Sequence, residues 1–172
     1  MNRIRTSVLA LLVFPAGIGL AAAAEGLSPK AAFEKLKGLA GRWEGNVESP
    51  GGPASAVEYR VTAAGTLVTE VQFPGTEYEM VSLFYLDGED LRAKHFCAMG
   101  NQPEMKFDPS ASSETDFHFA FTGGTNMDPA KDAHVHGGTI SFRGERLENE
   151  WAVYSGGKPG GANRFFLSRA KD

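Results

Sequence analysis

One cysteine, Cys97, occurs in 172 residues, so no internal disulfide can form and the fold has to stand on packing alone. Excess positive charge is also missing: 17 Lys and Arg stand against 21 Asp and Glu, giving a formal net charge of −4. A chain of that balance is poorly suited to nucleic acid or to an anionic membrane surface. Long apolar runs are scarce as well. The one candidate, Val8 to Leu20, is broken by Pro15, Gly17 and Gly19, and it falls short of the ~20 residues that a bilayer-spanning helix needs.

That run has a different reading. Arg3 and Arg5 precede it, and Ala22-Ala23-Ala24 follows as a small-residue cleavage site before Glu25, which is the layout of a secretory signal. Residues 1–24 are therefore expected to be removed, leaving a soluble periplasmic or secreted chain with no membrane span. The mature part keeps about 148 residues and a net charge of about −6. Its length suits one domain, with a helical segment over 25–40 and a β domain over 41–172.

Ser28-Pro29 followed by Phe33, Leu36 and Leu39 predicts a short helix with Ser28 as N-cap and Pro29 in the first turn. Beyond Gly41 the period changes to two. Ten runs follow, at about 41–48, 56–63, 66–73, 78–86, 90–98, 104–108, 115–122, 135–143, 146–154 and 162–169. Ala64-Gly65, Asp87-Gly88, Gly144-Glu145 and Ser155-Gly156-Gly157 supply hairpin turns. So many hairpin-linked strands must dispose of their edges, and the predicted fold is all-β: a ten-stranded antiparallel up-and-down barrel, with a sandwich as the alternative.

Parity then assigns the inner face. Trp43, Gly45, Val47, Val57, Tyr59 and Val61 point inward, as do Phe117, Phe119, Phe121, Ile140, Phe142, Leu147, Asn149, Trp151 and Val153. Over 66–73 the two faces compete, and Leu67, Val71 and Phe73 are placed inside. Glu70, Glu77 and Glu79 are read as a solvated rim, and 123–133 as a mobile rim loop.

The short helix leading into Gly41-Arg42-Trp43-Glu44-Gly45 resembles the opening of lipocalin-like proteins of the calycin group. That resemblance implies a tryptophan plugging the closed end of a barrel. The stretch Glu79 to Met105, with Tyr85-Leu86-Asp87-Gly88 and His95 to Pro103, is similar to exported bacterial proteins of unknown function with lipocalin-like barrels, the DUF1579-like group. This likeness supports the fold and names no activity. Nitrobindin-like haem barrels also open with Gly-x-Trp-x-Gly, but their later segments have no counterpart here, so no proximal histidine is transferred.

Residues 91–99 concentrate the reactive side chains. Alternation places Leu91, Ala93, His95, Cys97 and Met99 on one face, opposite Arg92 and Lys94. His134 and His136 fall two apart on a later strand. Imidazole with thiolate suits zinc or copper, and neutral imidazole suits haem iron, so His95, His134 and His136 are the candidate metal ligands. A thiol-dependent enzyme would use Cys97 with His95, oriented by Asn101 or Gln102; alternatively those two amides serve their own loop. The main expectation is a barrel that needs no cofactor and binds a small apolar or amphipathic molecule. His95, Cys97, Asn149, Trp151, Tyr59 and Phe119 are the candidate lining residues.

Overall fold

In a computed structural model, which describes residues 26–48 and 51–171, ten antiparallel strands close into a barrel behind one short helix. The predicted signal segment lies outside the described residues. The helix α1 spans Pro29–Lys37 and is followed by β1 (Gly41–Val47), β2 (Ala54–Thr62), β3 (Leu67–Gln72), β4 (Met80–Asp87) and β5 (Asp90–Phe96). Then come β6 (Gln102–Phe107), β7 (Asp116–Thr125), β8 (His134–Arg143), β9 (Arg146–Ser155) and β10 (Lys158–Arg169). Each strand pairs with its neighbours in sequence, and β1 pairs with β10 to close the ring. Closure leaves no sheet edge unpaired among the described residues. This is a calycin- or lipocalin-like fold in its general form.

Local chemistry explains the helix and the end it covers. Ser28 has extended backbone angles and its Oγ accepts from the Ala31 N–H at 3.2 Å, with Pro29 in the first turn. Ala32, Phe33 and Leu36 form the buried stripe, and α1 packs against β4 and β5. Lys35 ties the exposed side to the Glu114 carboxylate. At the same end the Trp43 indole donates to the Leu39 carbonyl at 2.8 Å, under the Arg169 guanidinium at 4.5 Å. Arg169 also donates to the Ala40 and Gly38 carbonyls, so it locks the helix exit onto the last strand. Gly45 serves the closure between β1 and β10, where any Cβ would collide with the Phe166 carbonyl.

The inner wall is mostly apolar near α1 and polar toward the other end. Phe84, Leu91, Phe107, Phe117, Ile140 and Leu147 are fully buried. Phe107 meets Phe117 edge-on at 5.7 Å, and Phe84 meets Phe119 at 5.4 Å. The opposite end carries segments 73–79, 97–101, 126–133 and 156–157.

Two face assignments need correction. On β3 the inward residues are Val68, Glu70 and Gln72, while Leu67 and Val71 are only partly buried on the other face. Phe73 still packs on the core, because it follows the strand with φ +52°, which turns it back onto Phe165 at 5.3 Å. On β5 the alternation stops at Phe96. Cys97 is half-buried in the turn whose Cys97 and Asn101 are joined by a backbone hydrogen bond, and Met99 is 54% exposed.

Candidate functional site

The inward correction on β3 brings a carboxylate into the barrel. Tyr59 on β2 pairs with Glu70 on β3, Glu70 with Ser82 on β4, and Ser82 with His95 on β5. Cross-strand partners share a face, so the four side chains form one polar row across the inner wall. Gln72, Ser82 and His95 lie within two residues of the strand ends opposite α1.

Hydrogen bonds knit the row together. The Tyr59 hydroxyl donates to Glu70 Oε1 at 2.8 Å, and Gln72 Nε2 donates to Oε2 at 3.1 Å. From the far wall, Asn149 Nδ2 reaches the Tyr59 oxygen at 2.7 Å and Glu70 Oε1 at 3.0 Å. The Ser82 Oγ lies 3.0 Å from His95 Nδ1. His95 in turn stacks on Trp151, with ring centroids 6.5 Å apart and planes 20° from parallel.

The electrostatics follow from burial. Glu70 is wholly inaccessible, and desolvation raises its pKa from the ordinary carboxylate value, opposed by its bonds from Tyr59, Gln72 and Asn149. Burial and the adjacent Glu70 charge push the Tyr59 phenol well above its ordinary value. His95 is lowered to about 4 by burial, so its imidazole is neutral at pH 7. Three buried polar atoms on the inner face of the barrel, one on β5 and two on β9, have no hydrogen-bond partner among the described residues: His95 Nε2, Asn149 Oδ1 and Trp151 Nε1. Most buried polar atoms in folded proteins are satisfied, and three unsatisfied atoms on the barrel's inner face call for an explanation.

The other sequence candidates sit elsewhere. Phe119 is buried on the same wall but in the apolar part, against Phe84 and Phe107. The sulfur of Cys97 lies 3.8 Å from the Met80 sulfur, and His95 bonds Ser82 instead of the thiol. Asn101 donates to the Ala133 carbonyl at 2.8 Å, and Gln102 bonds the Gly100 carbonyl, Thr125 and Asn126. Both amides serve the loops.

The histidines of β8 pair with each other. A bulge between Val135 and Gly137 sets His136 out of register, and its ring is stacked between Phe121 at 4.4 Å and Tyr154 at 3.8 Å. His134 Nδ1 lies 2.8 Å from the Asp132 carbonyl, which only accepts, so this nitrogen carries the proton. Its Nε2 therefore accepts from His136 Nδ1 at 2.9 Å. Both nitrogens of His134 are occupied. Among the described residues no group of three or more His, Cys, Asp and Glu is arranged to hold a metal ion. His95, His134 and His136 are not assembled as a ligand set.

The chain matches no protein-family model and no curated protein. The site therefore has to be argued from its own geometry. Glu70 and Gln72 are the members that sequence parity missed, and a signal was present: both share a face with Val68, which the opposite choice would have turned out to solvent.

Proposed function

We propose that this protein is an exported barrel, periplasmic or secreted, that binds one small apolar or amphipathic molecule in its interior. The export reading rests on the basic start, the short apolar run and the Ala22-Ala23-Ala24 site. The likeness of Glu79–Met105 to exported lipocalin-like barrels of the DUF1579-like group supports it. The binding reading rests on one observation above all: His95 Nε2, Asn149 Oδ1 and Trp151 Nε1 are buried without partners among the described residues, in a largely aromatic barrel interior. An apolar lining with a few convergent polar atoms is the usual composition of a small-molecule site, and barrels of this size either fill with side chains or hold one small ligand.

Native mass spectrometry of the protein purified from its own compartment tests both parts. The expected spectrum shows a chain beginning at Glu25 and carrying one noncovalent adduct that denaturation removes. A bare mass, together with no change of tryptophan fluorescence on titration with apolar probes, overturns the binding reading. A full-length mass retained in the cytoplasm overturns export.

A further inference from the structure

His134 and His136 stand at the start of β8, where the strand leaves the loop 126–133 at the end of the barrel opposite α1. That loop is stitched to its neighbours on both sides. Asn101 Nδ2 donates to the Ala133 carbonyl at 2.8 Å, Asn126 Nδ2 donates to Gln102 Oε1 at 2.9 Å, and the Gly156 N–H donates to the Lys131 carbonyl at 3.1 Å. His134 adds a fourth tie: its Nδ1 donates to the Asp132 carbonyl and its Nε2 faces His136 Nδ1 at 2.9 Å. His134 is fully buried, and the His136 ring is clamped between Phe121 and Tyr154.

The number of protons this pair can hold follows from the geometry. His134 Nδ1 keeps its hydrogen on the carbonyl, so the neutral pair has His134 Nε2 as acceptor and His136 Nδ1 as donor. One added proton is tolerated on either ring. On His136 Nε2 it leaves the bond as it was, with a cation between two aromatic faces. On His134 Nε2 it reverses the bond, and the hydrogen of His136 moves to its outer nitrogen. A second proton puts an N–H on both facing nitrogens, so the bond is lost and two like charges meet.

Nothing stacked on the pair offsets that charge. Phe121 from β7 has none, and Tyr154 from β9 is a phenol, neutral in acid. The charged side chains of the loop are engaged within it: the Asp128 carboxylate holds Lys131 at 2.7 Å, and the Asp132 carboxylate accepts from the Asp128 N–H at 2.7 Å. Burial and the neighbouring His134 lower the His136 pKa.

We propose that His134 and His136 form an acid-sensitive latch for the 126–133 loop: the pair holds the loop on the barrel rim while it carries at most one proton, and releases it when both rings are charged. His134 has no surface of its own, so its charged ring reaches water only by moving the chain that carries it, and that chain is the end of the loop. The carbonyls of Lys131, Asp132 and Ala133 lie within three residues of His134 and leave their partners with it. The latch stands whether or not the interior holds a guest.

Amide hydrogen exchange from pH 7.5 to 4.5, divided at each pH by the intrinsic rate, tests this. The reporting amides are Lys131 and Asp132, both bonded to the Asp128 carbonyl, and Gly156, bonded to the Lys131 carbonyl. The open state binds one proton more than the closed one, so the opening constant should rise by up to tenfold per pH unit below about pH 6.5, while the amides of β4 stay better protected. His136→Gln should flatten that slope, because an amide can donate to His134 Nε2 or accept from it and never takes a charge. His134→Gln serves the same purpose should the first variant fail to fold, and the wild-type profile is decisive by itself. Imidazole nitrogen spectra at pH 7.5 should show His134 protonated at Nδ1. The latch is overturned by protection that ignores pH, by protection that falls only in step with β4, by the wild-type slope persisting in His136→Gln, or by a His134 protonated at Nε2 instead.

Discussion

Tyr59 and Glu70 face each other across β2 and β3, and the phenol donates to Glu70 Oε1 at 2.8 Å with neither side chain open to solvent. The same phenol oxygen accepts from Asn149, so the pair links one wall of the barrel to the opposite one.

Tyr59→Phe removes a donor to the carboxylate and an acceptor for Asn149 while keeping the ring. Leaving buried hydrogen-bonding groups unpaired costs about 1–3 kcal/mol. Urea unfolding should show a loss of that size with the dependence on denaturant unchanged. The Glu70 carboxyl should also titrate higher in the variant, because a bond that lowers its pKa is gone. Stability equal to wild type would mean that the network contributes nothing to the fold.

Much of the fold was legible because the local rules agree with one another. Ser28-Pro29 fixes the helix start, the hairpin turns space the strands, and the parities of β2, β7 and β9 hold because charged residues such as Arg60 and Glu150 contrast with apolar partners. On β3 that contrast is reversed: Glu70 and Gln72 point inward, so a pattern that counts apolar residues selects the other face. The inner residues there are polar because Tyr59 and Asn149 meet them, and Asn149 comes from a strand 79 residues away in sequence. The histidines misled for a related reason. Spacing of two suggests a shared face, whereas the bulge at His136 and the Asp132 carbonyl, neither marked in the sequence, make the two rings bond each other.

Gly138 lies beneath the ring of Trp151. A Cβ there would fall 2.5 Å from Cζ3 and closer still to Cε3. The indole is fully buried and has nowhere to retreat, so Gly138→Ala should destabilise by about 1–3 kcal/mol through overpacking. The emission of Trp151 should change as the ring is displaced from His95, and any interior probe should bind more weakly. An alanine variant with wild-type stability and emission would show that the ring has room to move.

Cys97 has left the inner face, and among the described residues its sulfur has the Met80 sulfur as its one side-chain hydrogen-bonding partner. Cys97→Ala is therefore expected to change stability by less than about 1 kcal/mol, since a half-buried turn residue loses little packing. Probe binding should be unaltered. A loss of binding in this variant would return the thiol to the interior site.

Acid should loosen the barrel through His95. Its pKa is lowered by burial from 6.5 to about 4, so between those values the unfolded chain takes up a proton that the folded chain refuses. Stability from this group is then full above about pH 6.5 and declines as pH falls toward 4, by about 3 kcal/mol at 1.36 kcal/mol per unit. Glu70 acts in the opposite sense: its raised pKa makes the folded state the better proton binder just above the usual carboxylate range, and that contribution is lost as pH rises through its folded value. The two slopes overlap, so the difference between wild type and His95→Gln isolates the histidine. Urea midpoints from pH 4 to 8 should fall more steeply on acidification in wild type than in the variant. Parallel curves would mean that His95 titrates normally and that its ring is open to water.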